Sequence, residues 1–132
     1  ISNMFNINTL ILNGYPAVNS LRHLNGDISI FKKVVDIKTK KVTSLESLFS
    51  NPLDIGLMDK DLNKLGFELQ VNSNEEILEA LEDFLLIKNN PKEVRNHSNQ
   101  CKSLLRDCHY GYNAAGVFSK KFIDNYASLE KL

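Results

Sequence analysis

Thr9-Leu10-Ile11-Leu12-Asn13-Gly14-Tyr15-Pro16, TLILNGYP, is a short apolar run that stops at Asn-Gly and then Pro. Four to eight beta-branched and aliphatic residues closed by turn formers read as a fully buried strand of a parallel sheet. In open α/β sheets ligands sit beyond the carboxyl ends of the strands. The loop that follows, residues 13–27, is therefore the first place to look for chemistry. It gathers Asn13, Tyr15, Asn19, Arg22, His23, Asn25 and Asp27. Arg22 suits a diphosphate, because its planar fork meets two oxygens at once, and the His23 imidazole can act as acid or base near neutral pH. Asn13, Gly14 and Tyr15 are the anchors of the loop. A polar loop that only holds its own turn accounts for the same residues equally well.

Working outward, DISIFKKVVDI, residues 27–37, fits extended structure with an irregularity at Lys32-Lys33, and Lys38 to Lys41 form a solvated turn. Thr43-Ser44-Leu45-Glu46 has the spacing of a capping box with Thr43 as the cap. It opens a helix over 44–50 that Asn51-Pro52 ends. A second short helix, 54–65, stops at Gly66. Phe67 to Val71 alternates strictly and reads as a strand. Ser73-Asn74-Glu75-Glu76 repeats the capping-box spacing. The helix it opens runs to about Lys88, with Ile77, Leu78, Leu81, Phe84, Leu85 and Leu86 as its core stripe and Glu75, Glu79, Glu82 and Asp83 as its solvated side. Pro91 starts the next helix, whose inward face is Val94, His97, Cys101, Leu104, Leu105 and Cys108. GYNAAG, residues 111–116, breaks that helix. A last one, 119–129, presents Phe122, Ile123 and Tyr126.

This succession predicts an α/β fold: a Rossmann-like parallel sheet with flanking helices, forming a single partial domain over 1–132. Three visible strands are few for a doubly wound domain. Together with a start at Ile1, that leads us to expect a piece of a longer protein, with residues 111–132 packing back on a missing N-terminal half. At 132 residues and 42% hydrophobic, the chain can bury one core. Sixteen basic and sixteen acidic residues cancel, so no global field draws nucleic acid or an anionic membrane. No apolar stretch approaches the roughly 20 residues that cross a bilayer.

The two cysteines, Cys101 and Cys108, stand seven apart on one helix, about 10 Å of rise. A disulfide needs alpha carbons within about 7 Å, so they do not bridge each other, which fits a reducing cytoplasmic compartment. His97 and Cys101 are spaced to share a zinc, but Cys108 and His109 lie too far along a straight helix to join them. An apolar seam is the better account, and no metal is expected. GYNAAG lacks the lysine and hydroxyl of a phosphate loop. The lysines at 32, 33, 38, 40 and 41 read as solvation of a turn rather than as an anion site.

Four segments, TLILNGYP, DISIFKKVVDIKTKKVTSLESLF, LGFELQVNSNEEILEALEDFL and VFSKKFIDNYASL, taken in this order resemble the C-terminal part of glycosyltransferases from bacterial surface-polysaccharide clusters. The likeness covers nearly the whole chain. It is one of pattern and order, each motif being common on its own. The resemblance implies a GT-B-like architecture, two facing Rossmann-type halves with the nucleotide-sugar donor held by the C-terminal one. Asn13, Gly14, Tyr15, Arg22 and His23 would then contact the donor, with Arg22 on its diphosphate. The acceptor would be a glycan or a lipid-linked glycan, and no cofactor beyond the donor substrate is implied. The protein would work in the cytoplasm or at the inner face of the membrane. The catalytic base would lie in the other half.

Overall fold

In the computed structural model, residues 5, 7–17, 21, 22, 24–50, 59–105 and 113–131 are described, and of residues 50, 59, 60 and 91 the main chain only. Strand β1 (Leu10–Gly14) pairs in parallel with β2 (Ile28–Phe31), and β2 pairs in parallel with β5 (Val117–Phe118), giving the order β1-β2-β5. All four residues of β2 are inaccessible to solvent, as expected of a strand with neighbours on both sides and helices above and below. The register of β1 on β2 slips between Ile11 and Gly14. There Asn13 adopts a left-handed φ of 54°, which asparagine tolerates better than most residues.

The parallel sheet is as expected in kind and differs in membership. β1 is an edge strand, only half-buried, with Leu12 37% exposed, because among the described residues β2 is its only strand neighbour. The third parallel strand is Val117–Phe118, too short to show as a strand in the sequence. The alternating segment instead becomes β4 (Phe67–Gln70), antiparallel to β3 (Lys33–Asp36) in a separate two-stranded sheet. The irregularity at Lys32-Lys33 is the joint between β2 and β3. The turn after β3 is closed by the Asp36 carboxylate, which accepts the N–H groups of Lys38 and Thr39 at 2.8 and 2.9 Å.

Helix α1 (Leu45–Ser50) buries Leu45, Leu48 and Phe49. Its cap is Ser44, whose Oγ accepts from the Ser47 N–H at 3.1 Å, and not Thr43. The Thr43 N–H is still donated to the Val34 carbonyl, so residue 43 belongs to extended chain and the helix starts one residue later. Helix α2 (Asp59–Lys64) buries Leu62 and ends at Gly66, whose φ of +90° is the left-handed stop that glycine adopts without strain.

Helix α3 (Asn74–Asn89) has the expected capping box. Ser73 accepts from the Glu76 N–H and the Glu76 side chain accepts from the Ser73 N–H. Replacing Ser73 with alanine is expected to lower stability by about 0.5–2 kcal/mol, read as a shift of the urea midpoint at unchanged slope.

Its faces depart from the reading of its sequence. The residues buried against the core are Ala80, Asp83 and Ile87, while Leu78, Leu81, Leu85 and Leu86 are exposed. Helix α4 (Pro91–Leu104), capped by Asn90, turns His97 and Cys101 inward, followed by Leu105; Cys108 and His109 lie outside the described residues. Helix α5 (Lys120–Glu130), capped by Ser119, buries Phe122, Ile123 and Tyr126 as expected. Phe122 and Tyr126 meet Phe31 of β2, around which the rings of Phe49 and Phe118 are also arranged. Among the described residues no helix is long and apolar enough to cross a membrane.

Candidate functional site

The carboxyl edge of the parallel sheet is built by the ends of β1 and β2 and by the start of α3. At its centre two asparagines exchange hydrogen bonds. The Asn13 N–H donates to Asn72 Oδ1 and the Asn72 N–H to Asn13 Oδ1, each at 2.7 Å. Asn72 Nδ2 also donates to the Phe31 carbonyl at 2.8 Å. The Gly14 carbonyl accepts from the Lys32 N–H at 2.9 Å. Tyr15 packs half-buried against the core, and the Tyr15–Pro16 peptide is cis. Asn13, Gly14 and Tyr15 are thus brought together where a sheet of this kind presents its ligand edge.

Arg22 lies elsewhere. Its carbonyl accepts from the Gly116 N–H at 2.9 Å, and Gly116 immediately precedes β5, so the main chain of Arg22 is at the amino end of the sheet. A Cβ on residue 116 would stand 2.9 Å from the Arg22 oxygen and 3.0 Å from its nitrogen, which is why glycine occupies that position. The Arg22 Nε is buried and has no hydrogen-bond partner. Asp27, another polar residue of the loop, braces the same end by accepting from the N–H groups of Thr9 and Leu24. His23 lies outside the described residues.

Beside the carboxyl edge opens a cleft of about 280 Å³ lined by Lys33, Glu76, Phe122, Asn125, Tyr126 and Leu129. Lys33, two residues past the end of β2, is nearly buried and forms an ion pair with Glu76 in the first turn of α3. An ammonium carries three donors, so this pair leaves Lys33 with hydrogen-bonding capacity toward the cleft. Asn125 is oriented by donating its Nδ2 to Glu79 Oε2 at 2.6 Å, which leaves its carbonyl oxygen as an acceptor. The floor is apolar. The Tyr126 hydroxyl donates to the Thr43 carbonyl at 2.7 Å, and burial, helped by the nearby Glu130 charge, pushes its pKa up, so it stays a neutral donor. The cleft therefore presents an ion pair and an amide oxygen over an apolar floor.

By sequence alone Lys33 groups with the turn lysines and Glu76 reads only as a capping residue. The signal that separates Lys33 from Lys38, Lys40 and Lys41 is its place inside the extended run, two residues after ISIF and directly before VVDI.

Behind the cleft, Asp83, His97 and Ser119 form a buried polar cluster. Ser119 Oγ donates to Asp83 Oδ2 at 2.7 Å, the Lys121 N–H donates to the same oxygen at 3.0 Å, and His97 Nε2 stands 3.4 Å from it. His97 Nδ1 lies 2.7 Å from the Glu93 carbonyl and donates to it. These are the residue types of a nucleophilic triad in the wrong order. The hydroxyl is committed to the carboxylate, whereas a nucleophile must hand its proton to the imidazole. The cluster is a structural clamp joining α3, α4 and the start of α5.

The Cys101 thiol is pushed up to about 11 by burial and is accordingly an inert packing group. Among the described residues no three His, Cys, Asp or Glu side chains converge as metal ligands do. The chain matches no known family model, no curated protein and no solved structure.

Proposed function

We propose that this chain is the donor-holding part of a glycosyltransferase of GT-B-like architecture, which moves a sugar from a nucleotide-sugar to a growing surface glycan. Two lines support the reading. The first is the ordered resemblance of its four segments to such enzymes. The second, which carries it here, is the cleft at the carboxyl edge of a parallel sheet, where the Lys33 ammonium, paired with Glu76, keeps further N–H donors over an apolar floor. In this reading Lys33 meets the diphosphate of the donor, while Asn13, Gly14 and Tyr15 hold the adjoining edge in shape. Transfer rests on stabilising the departing diphosphate with positive charge and N–H groups, and the base that activates the acceptor is supplied by another part of the protein.

The test is titration of the chain with nucleoside diphosphate sugars, followed by calorimetry. Lys33→Ala is expected to weaken binding at least about tenfold, a loss of roughly 1.4 kcal/mol. Asn125→Ala, at an exposed wall position, should weaken it less. Absence of any binding overturns the proposal. An equal loss with Arg22→Ala would move the diphosphate to the amino end of the sheet and overturn the assignment to the cleft.

A second reading, a nucleotide-binding or assembly module without catalysis, is favoured by the outward leucines of α3. Donor binding without sugar transfer in the full-length protein would select it.

A further inference from the structure

Two turns meet at the end of the β3–β4 sheet that lies away from the cleft. One, residues 37–41, follows β3; the other, residues 64–66, leads from α2 into β4. The Ile37 N–H donates to the Gly66 carbonyl at 2.9 Å, directly beyond the Asp36–Phe67 pair of the ladder, and this joins the two turns into one tip. The tip carries Lys38, Lys40, Lys41 and Lys64, all exposed. Among them stand Leu65, 60% exposed, and the half-buried Ile37.

Little at the tip offsets that charge. The Asp36 carboxylate is turned into its own loop, accepting from the N–H groups of Lys38 and Thr39. Glu68 is paired with Lys40 alone, at 3.6 Å and between exposed groups. Asp61 stands one helical turn back from Lys64. Among the described residues Lys38, Lys41 and Lys64 form no ion pair, so the tip is net positive although the chain as a whole is neutral.

Lys40 adds a second observation. Its φ of 60° is left-handed, a region that costs an L side chain and that glycine adopts freely. Folding alone therefore favours glycine at this point, and the turn instead holds out a long cationic side chain.

The chemistry of the tip selects its partner. Nucleic acid is gripped by arginine forks and stacked on aromatic rings, and residues 37–41 and 64–66 contain neither. Anionic headgroups attract clustered lysines, whose stems lie along the lipid boundary while an exposed aliphatic side chain enters it. We propose that this tip of four lysines around Leu65 is a docking surface for a membrane that carries anionic lipid. It begins four residues after Lys33, about 13 Å along extended chain, so it is separate from the cleft and does not depend on what the cleft binds.

Co-sedimentation of the chain with vesicles tests the proposal. Binding is expected to vesicles of phosphatidylcholine mixed with phosphatidylserine and not to phosphatidylcholine alone, and it should fall as salt is raised. Lys38→Gln, Lys41→Gln and Lys64→Gln combined are expected to weaken it at least about tenfold. Lys88→Gln, Lys92→Gln and Arg95→Gln combined, at exposed positions elsewhere, change the net charge equally and should leave it unaltered. Lys40→Gly should weaken binding while the urea midpoint stays the same or rises, which separates docking from a role in the turn. Leu65→Ser should weaken it at least about threefold. Absence of binding to the mixed vesicles overturns the proposal. So does an equal loss in the variant at positions 88, 92 and 95, or full binding after Leu65→Ser. A single-stranded oligonucleotide that binds more tightly than the vesicles, through the same lysines, overturns it in favour of nucleic acid.

Discussion

Replacing Phe31 with alanine is expected to cost about 3–5 kcal/mol, the range for deleting a large buried aromatic side chain. Phe31 closes the central strand β2, is fully buried, and is the ring the other four surround. Its centroid lies 6.1 Å from Phe49, 5.3 Å from Phe118, 4.9 Å from Phe122 and 5.8 Å from Tyr126. Three of those contacts are edge-on, the geometry in which an aromatic pair adds about 0.5–1.5 kcal/mol beyond burial alone.

The four partners come from α1, β5 and α5, so the cavity left by alanine would face three elements that cannot all collapse into it. Loss of this ring also removes the support beneath Phe122 and Tyr126, the floor of the cleft. Urea unfolding of Phe31→Ala against Phe5→Ala, whose ring is largely exposed, separates the effect of the site from that of the residue type. A loss under about 1.5 kcal/mol at Phe31 would contradict this account of the core.

What the sequence makes legible here depends on whether the information is local. Ser73 and Glu76 lie three apart and satisfy each other, so the start of α3 is readable to the residue. The same holds for Gly66 after α2, and for Phe122, Ile123 and Tyr126 at the spacing of one helix face. Thr43 and Ser44 show the limit of local reading. Either can cap, and the choice falls on Ser44 because a sheet partner, Val34, holds residue 43 extended.

Long-range information is lost more completely. The apolar periodicity of α3 states which residues share a side, not which side finds the core. Asp83 is buried only because Ser119, Lys121 and His97 are there to receive it, 36, 38 and 14 residues away. β5 is two residues long and carries no period at all. The strand Leu10–Gly14 was legible as a strand, and its position at the edge of the sheet was not, since burial on the far side is a property of a neighbour. At the site, Asn13, Gly14 and Tyr15 follow from the topology rule. Arg22 does not sit with them, because the loop crosses back to the amino end before β2 begins. Lys33 needed the joint between β2 and β3 to be distinguished from a turn lysine.

Asp83→Ala is expected to cost about 1–3 kcal/mol, the penalty for leaving buried polar groups unsatisfied, because the Ser119 hydroxyl and the Lys121 N–H then lose their acceptor at once. Asp83→Asn keeps an acceptor oxygen and should cost less. The pH dependence distinguishes the clamp from simple packing. Burial alone would raise the Asp83 carboxyl, but hydrogen bonding to His97, the Lys121 N–H and the Ser119 hydroxyl outweighs it and holds the group below its ordinary value.

A carboxyl lowered in the folded state stabilises above its unfolded value, about 3.9, and that contribution is lost as pH falls through the folded value. The acid-side loss of stability below about pH 4 should therefore be shallower in Asp83→Asn than in the original chain, so the gap between the two narrows as the solution is acidified. Since Asp83 also holds the start of α5, which carries Asn125, Tyr126 and Leu129 into the cleft, both substitutions should also weaken the nucleotide-sugar binding proposed above, without touching that ligand. Urea titrations at pH 7, 4 and 2.5 decide the matter. A constant gap across that range would show that Asp83 contributes shape and not charge.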